Sequence, residues 1–215
     1  MRERAPLVFF DVDSTLVTIE GIDVLAGGNP EIAALTDAAM NGIIAIEEVY
    51  GRRLEIIRPS RQAVRQLGET YVSSMVDDAE EVVGTLHERG ATVYLITAGI
   101  EQAVIPLAKT LGIPPARVRA VRLEFSSDGQ YVDFDRRSPL ARAGGKEIAV
   151  QDIRARSHGR AVFIGDGITD AEARGAVDLF IGFGGVRQRD AVRALSDVYI
   201  TEPHLSSILP HVFRT

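Results

Sequence analysis

Short apolar runs punctuate the chain, and each stops against polar or glycine residues. Leu7-Val8-Phe9-Phe10 runs into Asp11, Thr92-Val93-Tyr94-Leu95-Ile96 into Thr97, and Ala161-Val162-Phe163-Ile164 into Gly165-Asp166. Leu179-Phe180-Ile181 and Val198-Tyr199-Ile200 are shorter runs of the same kind. Uninterrupted apolar runs of this length suit strands buried on both faces, as in a parallel sheet.

Between the runs the pattern turns helical. Asp77 is placed to cap a helix over 78–89, with acids in its first turn and Gly90 just past its end. Asn29-Pro30-Glu31 offers a cap, a first-turn proline and an acid ahead of a helix from Ile32 to Met40. Ser60 is placed to cap Arg61 to Leu67, and Pro106 predicts a kink or an early end in the pattern from Ile100 to Leu111. Leu123-Glu124-Phe125 and Tyr131-Val132-Asp133-Phe134 alternate around Ser127-Asp128-Gly129, which predicts a β-hairpin. Strands alternating with helices predict an α/β fold with a Rossmann-like parallel sheet.

The stretch between the first and second strands is far longer than the roughly thirty residues of a simple βαβ unit. From about Thr18 to Val76 it shows three helical patterns and no convincing strand. The expected organisation is an α/β core from residues 1–17 and 77–215, with a small helical cap over 18–76 inserted after the first strand. That position lets the cap cover the sheet edge.

Composition narrows the partners. The 215 residues are 46% hydrophobic, enough for a sizeable core plus an insert and too apolar for wholesale disorder. A net charge of −6 argues against a nucleic-acid or anionic-membrane partner. The count of zero cysteines excludes a disulfide framework, a thiolate nucleophile and a Cys-ligated metal. The apolar run Leu7–Phe10 is far shorter than a signal-peptide core, and no stretch approaches the roughly 18 apolar residues of a membrane span. A soluble cytoplasmic protein is expected.

The candidate chemistry sits where the apolar runs end. In an open α/β sheet, the carboxyl ends of the strands meet at one edge. Asp11 and Asp13 alone suit a solvated turn or a helix cap as well as a metal site. The four apolar residues before Asp11 place it near the core, where an unpaired charge is costly and a cation relieves the cost. Asp166 and Asp170 repeat the arrangement, with Gly165 and Gly167 allowing close backbone approach. Hard carboxylate oxygens with room for a phosphate suit Mg²⁺. Zinc would want a His or Cys cluster, and His87, His158, His204 and His211 are scattered. Thr97 alone could cap a helix, and Lys146 alone reads as a surface lysine. Beside the acids, one at a strand end and the other opening a helix behind Gly144-Gly145, both suit a phosphoryl group.

Asp11-Val12-Asp13-Ser14-Thr15, Thr97, Lys146 and Gly165-Asp166-Gly167-Ile168-Thr169-Asp170 together resemble the motifs of the haloacid dehalogenase superfamily of phosphotransferases. Glu20-Gly21-Ile22-Asp23, Ala39-Met40-Asn41-Gly42, Arg53-Leu54 and Phe180-Ile181-Gly182-Phe183-Gly184-Gly185 extend the resemblance to its phosphoserine phosphatase family, over nearly the whole chain. The resemblance implies Mg²⁺-dependent hydrolysis of a small phosphorylated metabolite, O-phosphoserine, through an aspartyl-phosphate. Asp11 would be the nucleophile, and Asp13 the acid and then the base. The Asp11 and Asp166 carboxylates and the Asp13 backbone carbonyl would ligate Mg²⁺, with Asp170 holding the site from nearby. Thr97 and Lys146 would balance charge on the transferring phosphoryl group. Met40, Gly42 and Ala98 would join them around the substrate, with Glu20 near its amino group and Arg53 on its carboxylate.

Departures from the family pattern bear on the leaving group. Thr97-Ala98-Gly99 stands where the family shows Ser-Gly-Gly, Ile46 stands where a shielding Phe is expected, and the segment after Gly185 is shorter than usual. A phosphatase for another small phosphorylated metabolite is the same-class alternative. A signalling receiver domain pairs similar residues around Mg²⁺, but its phosphoacceptor Asp lies on a later strand and it lacks a helical insert. A non-catalytic binding protein on a retained fold is the third reading.

Overall fold

β1 (Leu7–Phe10) is buried along its whole length and lies between two parallel partners. The computed structural model describes residues 5–213; residues 1–4 and 214–215 of the expected core lie outside the described residues. After β1 the chain turns tightly, with the N–H groups of Thr15, Leu16 and Val17 all donating to Val12 O. It then enters helices α1 (Gly21–Leu25), α2 (Pro30–Met40), α3 (Ile46–Ile57) and α4 (Arg61–Ser73). Asn29 Oδ1 accepts from Glu31 N at 3.0 Å and Ser60 Oγ from Ala63 N at 3.1 Å, so both expected caps close their helices. The insert holds one helix more than the three expected; α1 is barely more than a turn and too short for a period to show. α4 also outruns its expected end at Leu67.

The chain returns to the sheet beside its own exit. Val17 pairs antiparallel with Met75, Thr18 N donates to Ser74 O, and Val76 N to Leu16 O. α5 (Ala79–Glu88) follows, and here the expected Asp77 cap is corrected. Asp78 holds the cap position without capping through its side chain. Its carboxylate accepts from Leu205 N and Ser206 N at 2.9 and 2.8 Å, so a distant segment takes the oxygens that a local cap would use.

β2 (Thr92–Ile100) continues through Thr97 instead of stopping at Ile96, so Thr97 is not a helix cap. α6 (Glu101–Thr110) runs through Pro106. A proline inside a helix loses a hydrogen bond and crowds the preceding turn, at a cost of about 3 kcal/mol, and the burial of Ala103, Val104, Leu107 and Ala108 on this helix offsets it. β3 (Val118–Val121) was not expected, because arginines at 117, 119 and 122 break the apolar run of a short edge strand. β4 (Leu123–Phe125) and β5 (Tyr131–Phe134) form the expected antiparallel hairpin.

α7 (Gly145–Arg154), β6 (Ala161–Gly165), α8 (Ile168–Ala171), β7 (Leu179–Phe183), α9 (Asp190–Leu195), β8 (Val198–Ile200) and α10 (Leu209–Val212) complete the order. The main sheet runs β3-β2-β1-β6-β7-β8, all parallel. Counting only these strands, the order is that of a Rossmann-type doubly wound sheet, with its reversal at β1. The crevice for a ligand therefore opens where β1, β2 and β6 end, and residues from α1 to α4 stand over it. Among the described residues, no helix is long and apolar enough to cross a membrane.

Candidate active site

Two buried strands deliver the acids. Asp11 follows β1, and its N–H donates to Ile164 O of β6 at 2.9 Å. Asp166 follows β6, and Asp170 returns to it from α8. Carboxylate oxygens of Asp11, Asp166 and Asp170 all lie within 4.8 Å of one another. Gly165 makes this approach feasible, since a Cβ there would stand 2.2 Å from Asp170 Cγ.

Lys146 enters from the second position of α7. Its Nζ sits 2.9 Å from Asp11 Oδ2 and also donates to Asp170 Oδ1. Burial favours a neutral amine, but Asp11 and Asp170 outweigh it and hold the Lys146 pKa above its ordinary value. Burial, reinforced by Asp11, pushes Asp170 up to about 7 against the pull of Lys146. Asp170 Oδ2 accepts from Gly167 N at 2.9 Å, so both its oxygens are engaged. Asp11 Oδ1, by contrast, is buried with no hydrogen-bond partner.

These residues fit a metal ion. The acids Asp11, Asp13, Glu20, Asp166 and Asp170 outnumber the nearby cations Lys146, Arg53 and Arg189. Burial, with Glu20 and Asp170 nearby, pushes Asp166 well above the usual carboxylate range. A divalent cation would cancel that excess and give Asp11 Oδ1 a partner.

The Asp13 carboxylate points elsewhere. Its Oδ1 accepts from Gly21 N at 2.7 Å and from the Tyr71 hydroxyl at 2.8 Å. Burial, with Glu20 and Asp11 close by, pushes Asp13 up to about 8. Its expected place at the metal thus rests on its backbone carbonyl alone. The Thr97 hydroxyl accepts from Gly99 N at 3.0 Å, which leaves its own proton to donate into the pocket.

A pocket opens above these groups. Asp11, Asp13, Glu20, Met40, Arg53, Thr97, Ala98 and Lys146 line it. Gly42 does not belong to that lining. It closes the turn after α2 through Gly42 N to Ala39 O and lies against Ile168. Glu20 is less free than expected, because its Oε1 accepts from Ser14 Oγ at 2.7 Å and lies 3.7 Å from Arg189 Nη2. Arg53 donates to Thr36 Oγ1 at 3.1 Å and lines the pocket, with its Nε buried and without a partner. Burial lowers the Arg53 pKa, a cost that an incoming anion would offset.

Four residues of the site were not anticipated. Arg189 is 4% exposed, with Nε 3.2 Å from Asp166 Oδ2 and Nη1 2.9 Å from Asp37 Oδ1. Thr169 lines the pocket with its hydroxyl buried and unpartnered; lying between Asp166 and Asp170, it had a signal in the motif itself. Tyr50 lines the pocket and donates to Ala98 O at 2.8 Å, and Tyr71 reaches Asp13 from α4. Arg189 and the two tyrosines carry no local signal, because one buried arginine or tyrosine looks like any other until the fold sets its partner.

Known proteins share much of this sequence and fold. A family model for haloacid dehalogenase-like hydrolases matches residues 5–178. The chloroplastic phosphoserine phosphatase of Arabidopsis thaliana is 41% identical over 88% of this chain and 66% of its own length. The Bos taurus phosphoserine phosphatase is 38% identical over 92% of this chain and 90% of its own. Among solved structures, a phospho-aspartyl intermediate analogue of phosphoserine phosphatase superposes with a TM-score of 0.84 at 25% identity, covering 98% of this chain and 100% of that one. A phosphoserine phosphohydrolase-like protein from Francisella tularensis gives 0.86 at 25% identity, over 95% of this chain and 99% of its own. With its acids, lysine and sheet in these positions, the chain belongs to the haloacid dehalogenase-like hydrolases, within their phosphoserine phosphatase family.

Proposed function

We propose that this chain hydrolyses O-phosphoserine to serine and phosphate with Mg²⁺, through a phosphoryl group carried on Asp11. One observation carries the reading: the Asp11 carboxylate, gripped by Lys146 through Oδ2 and unpartnered at Oδ1, lines the same pocket as Arg53, whose buried Nε has no partner. Bound Mg²⁺ would neutralise phosphoryl charge beside Asp11 and Asp166, with Asp170 held by Lys146 and Gly167 next to them.

The protein's own groups do the rest. An Asp11 oxygen attacks phosphorus as the ester P–O bond breaks, and protonated Asp13 gives its proton to the departing serine oxygen. Ionised Asp13 then takes a proton from water, whose oxygen attacks the phosphorus of the acyl phosphate and frees Asp11 and inorganic phosphate. Lys146 and the Thr97 hydroxyl face the charge on the phosphoryl oxygens. Arg53 suits the substrate carboxylate, and Glu20 its ammonium. Residues 18–76 act as a cap in this reading, supplying Glu20 and Arg53 over the sheet end while the core supplies the phosphoryl chemistry.

The test is kcat/KM with Mg²⁺ for O-phospho-L-serine beside phosphothreonine, phosphoethanolamine and a sugar phosphate. A preference of about 100-fold for phosphoserine, about 2.7 kcal/mol of discrimination, is expected. Equal rates across the panel would keep the phosphoryl chemistry and reject the serine assignment. Ile46, Tyr50 and Leu67 give the pocket an apolar wall. They make another small phosphomonoester the second reading, and the same panel tests it.

A further inference from the structure

Both donors that reach the Asp13 carboxylate fall on one oxygen. Gly21 N, at the start of α1, and the Tyr71 hydroxyl, near the end of α4, converge on Oδ1 at 2.7 and 2.8 Å. An oxygen that accepts two such bonds is a poor place for the carboxyl proton, so that proton belongs on Oδ2. Oδ2 takes no such bond and lies beside Gly99 and Thr97: a Cβ at Gly99 would stand 3.1 Å from it, 3.3 Å from Thr97 Oγ1 and 3.5 Å from Tyr71 Oη.

The tyrosine is seated for this contact. Tyr71 is 1% exposed, so its hydroxyl needs an internal acceptor. The bare backbone of Gly21 leaves room for it, since a Cβ there would come within 2.0 Å of Tyr71 Oη and 2.7 Å of Cζ. A buried hydroxyl could be satisfied by any carbonyl. Here it crosses from the helical insert to a carboxylate in the loop after β1.

The geometry points to Tyr71 as a positioning residue for the acid–base step: it pins Asp13 Oδ1, so that Oδ2 carries the proton to the leaving oxygen. Helix α4 thereby completes a group that the sheet edge supplies only in part. This inference rests on the reading of Asp13 as the general acid given above, and the experiment separates the two.

Tyr71→Phe deletes one hydroxyl from an otherwise unchanged ring. With the Mg²⁺-loaded enzyme, kcat/KM is measured for O-phosphoserine, whose alkoxide needs a proton to leave, and for p-nitrophenyl phosphate, whose phenolate does not. General acid catalysis is worth about 10² to 10⁴ in rate. Tyr71→Phe is expected to lose about 10- to 100-fold on phosphoserine and less than about threefold on p-nitrophenyl phosphate. Asp13→Asn should show the same selectivity more strongly. Gly21→Ala, whose Cβ displaces the ring, provides a second variant with the same expected pattern should Tyr71→Phe fold poorly. Equal losses on both substrates for Tyr71→Phe or Gly21→Ala, with Asp13→Asn still selective, would overturn the positioning role and leave the acid assignment standing. An unselective Asp13→Asn would overturn both.

Discussion

Arg189 Nε lies 3.2 Å from Asp166 Oδ2, placing a buried guanidinium against an acid of the metal-fitting cluster. The same side chain reaches Asp37 on α2 at 2.9 Å, so one cation ties the insert to the sheet edge. Removing the guanidinium leaves the buried Asp166 carboxyl without its partner, at a cost of about 1–3 kcal/mol. Arg189→Met should therefore lower the stability of the metal-free chain by about that amount. If Mg²⁺ binds at Asp166 as proposed, an excess should recover part of the loss by favouring the folded state. Urea midpoints with chelator and with Mg²⁺ measure both effects; a variant as stable as the parent in chelator contradicts the argument.

Asp11→Asn keeps the shape of the side chain but removes the charged oxygen that attacks in the proposed mechanism. Turnover should fall by at least about 10³-fold, while the circular dichroism spectrum stays that of the parent. Residual activity of a tenth or more would show that Asp11 is not the nucleophile.

Arg53→Lys tests carboxylate recognition. Lysine keeps the charge but loses the planar fork. KM for phosphoserine should rise about 10- to 100-fold, and phosphoethanolamine, which has no carboxylate, should change little. Equal losses on the two substrates would place Arg53 elsewhere in the mechanism.

Acid burial sets the pH dependence. In the folded chain Asp13 is pushed up to about 8 and Asp170 to about 7, whereas in the unfolded chain both titrate near 3.8. Between those values the folded state holds protons that the unfolded state has released. The stability of the metal-free chain therefore falls as pH rises from about 4 to about 8. On the proposed function Mg²⁺ binds the ionised acids, so its stabilising effect should grow across the same window. Melting temperatures at about pH 5.5 and about pH 7.5, with chelator and with Mg²⁺, check both signs. A metal-free melting temperature that climbs across this window would contradict the proton count.

Local chemistry made much of this protein legible from its sequence. The apolar runs ahead of Asp11 and Asp166 marked β1 and β6 because strands buried on both faces exclude polar residues over their length. Asn29 and Ser60 marked helix starts because a cap bonds to an N–H only two or three residues away. Motif spacing carried the acids and Lys146 to one site, because the carboxyl ends of parallel strands share an edge. Tertiary structure decided whatever depends on a partner distant in the chain. Asp78 left its local cap for the amides of Leu205 and Ser206. β2 ran on through Thr97 beside a short β3 whose arginines hid it. Arg189 found Asp166, and Tyr71 found the single oxygen of Asp13 that orients its proton. Such contacts join groups whose burial and bonding only the assembled fold defines, so no periodicity or spacing announces them.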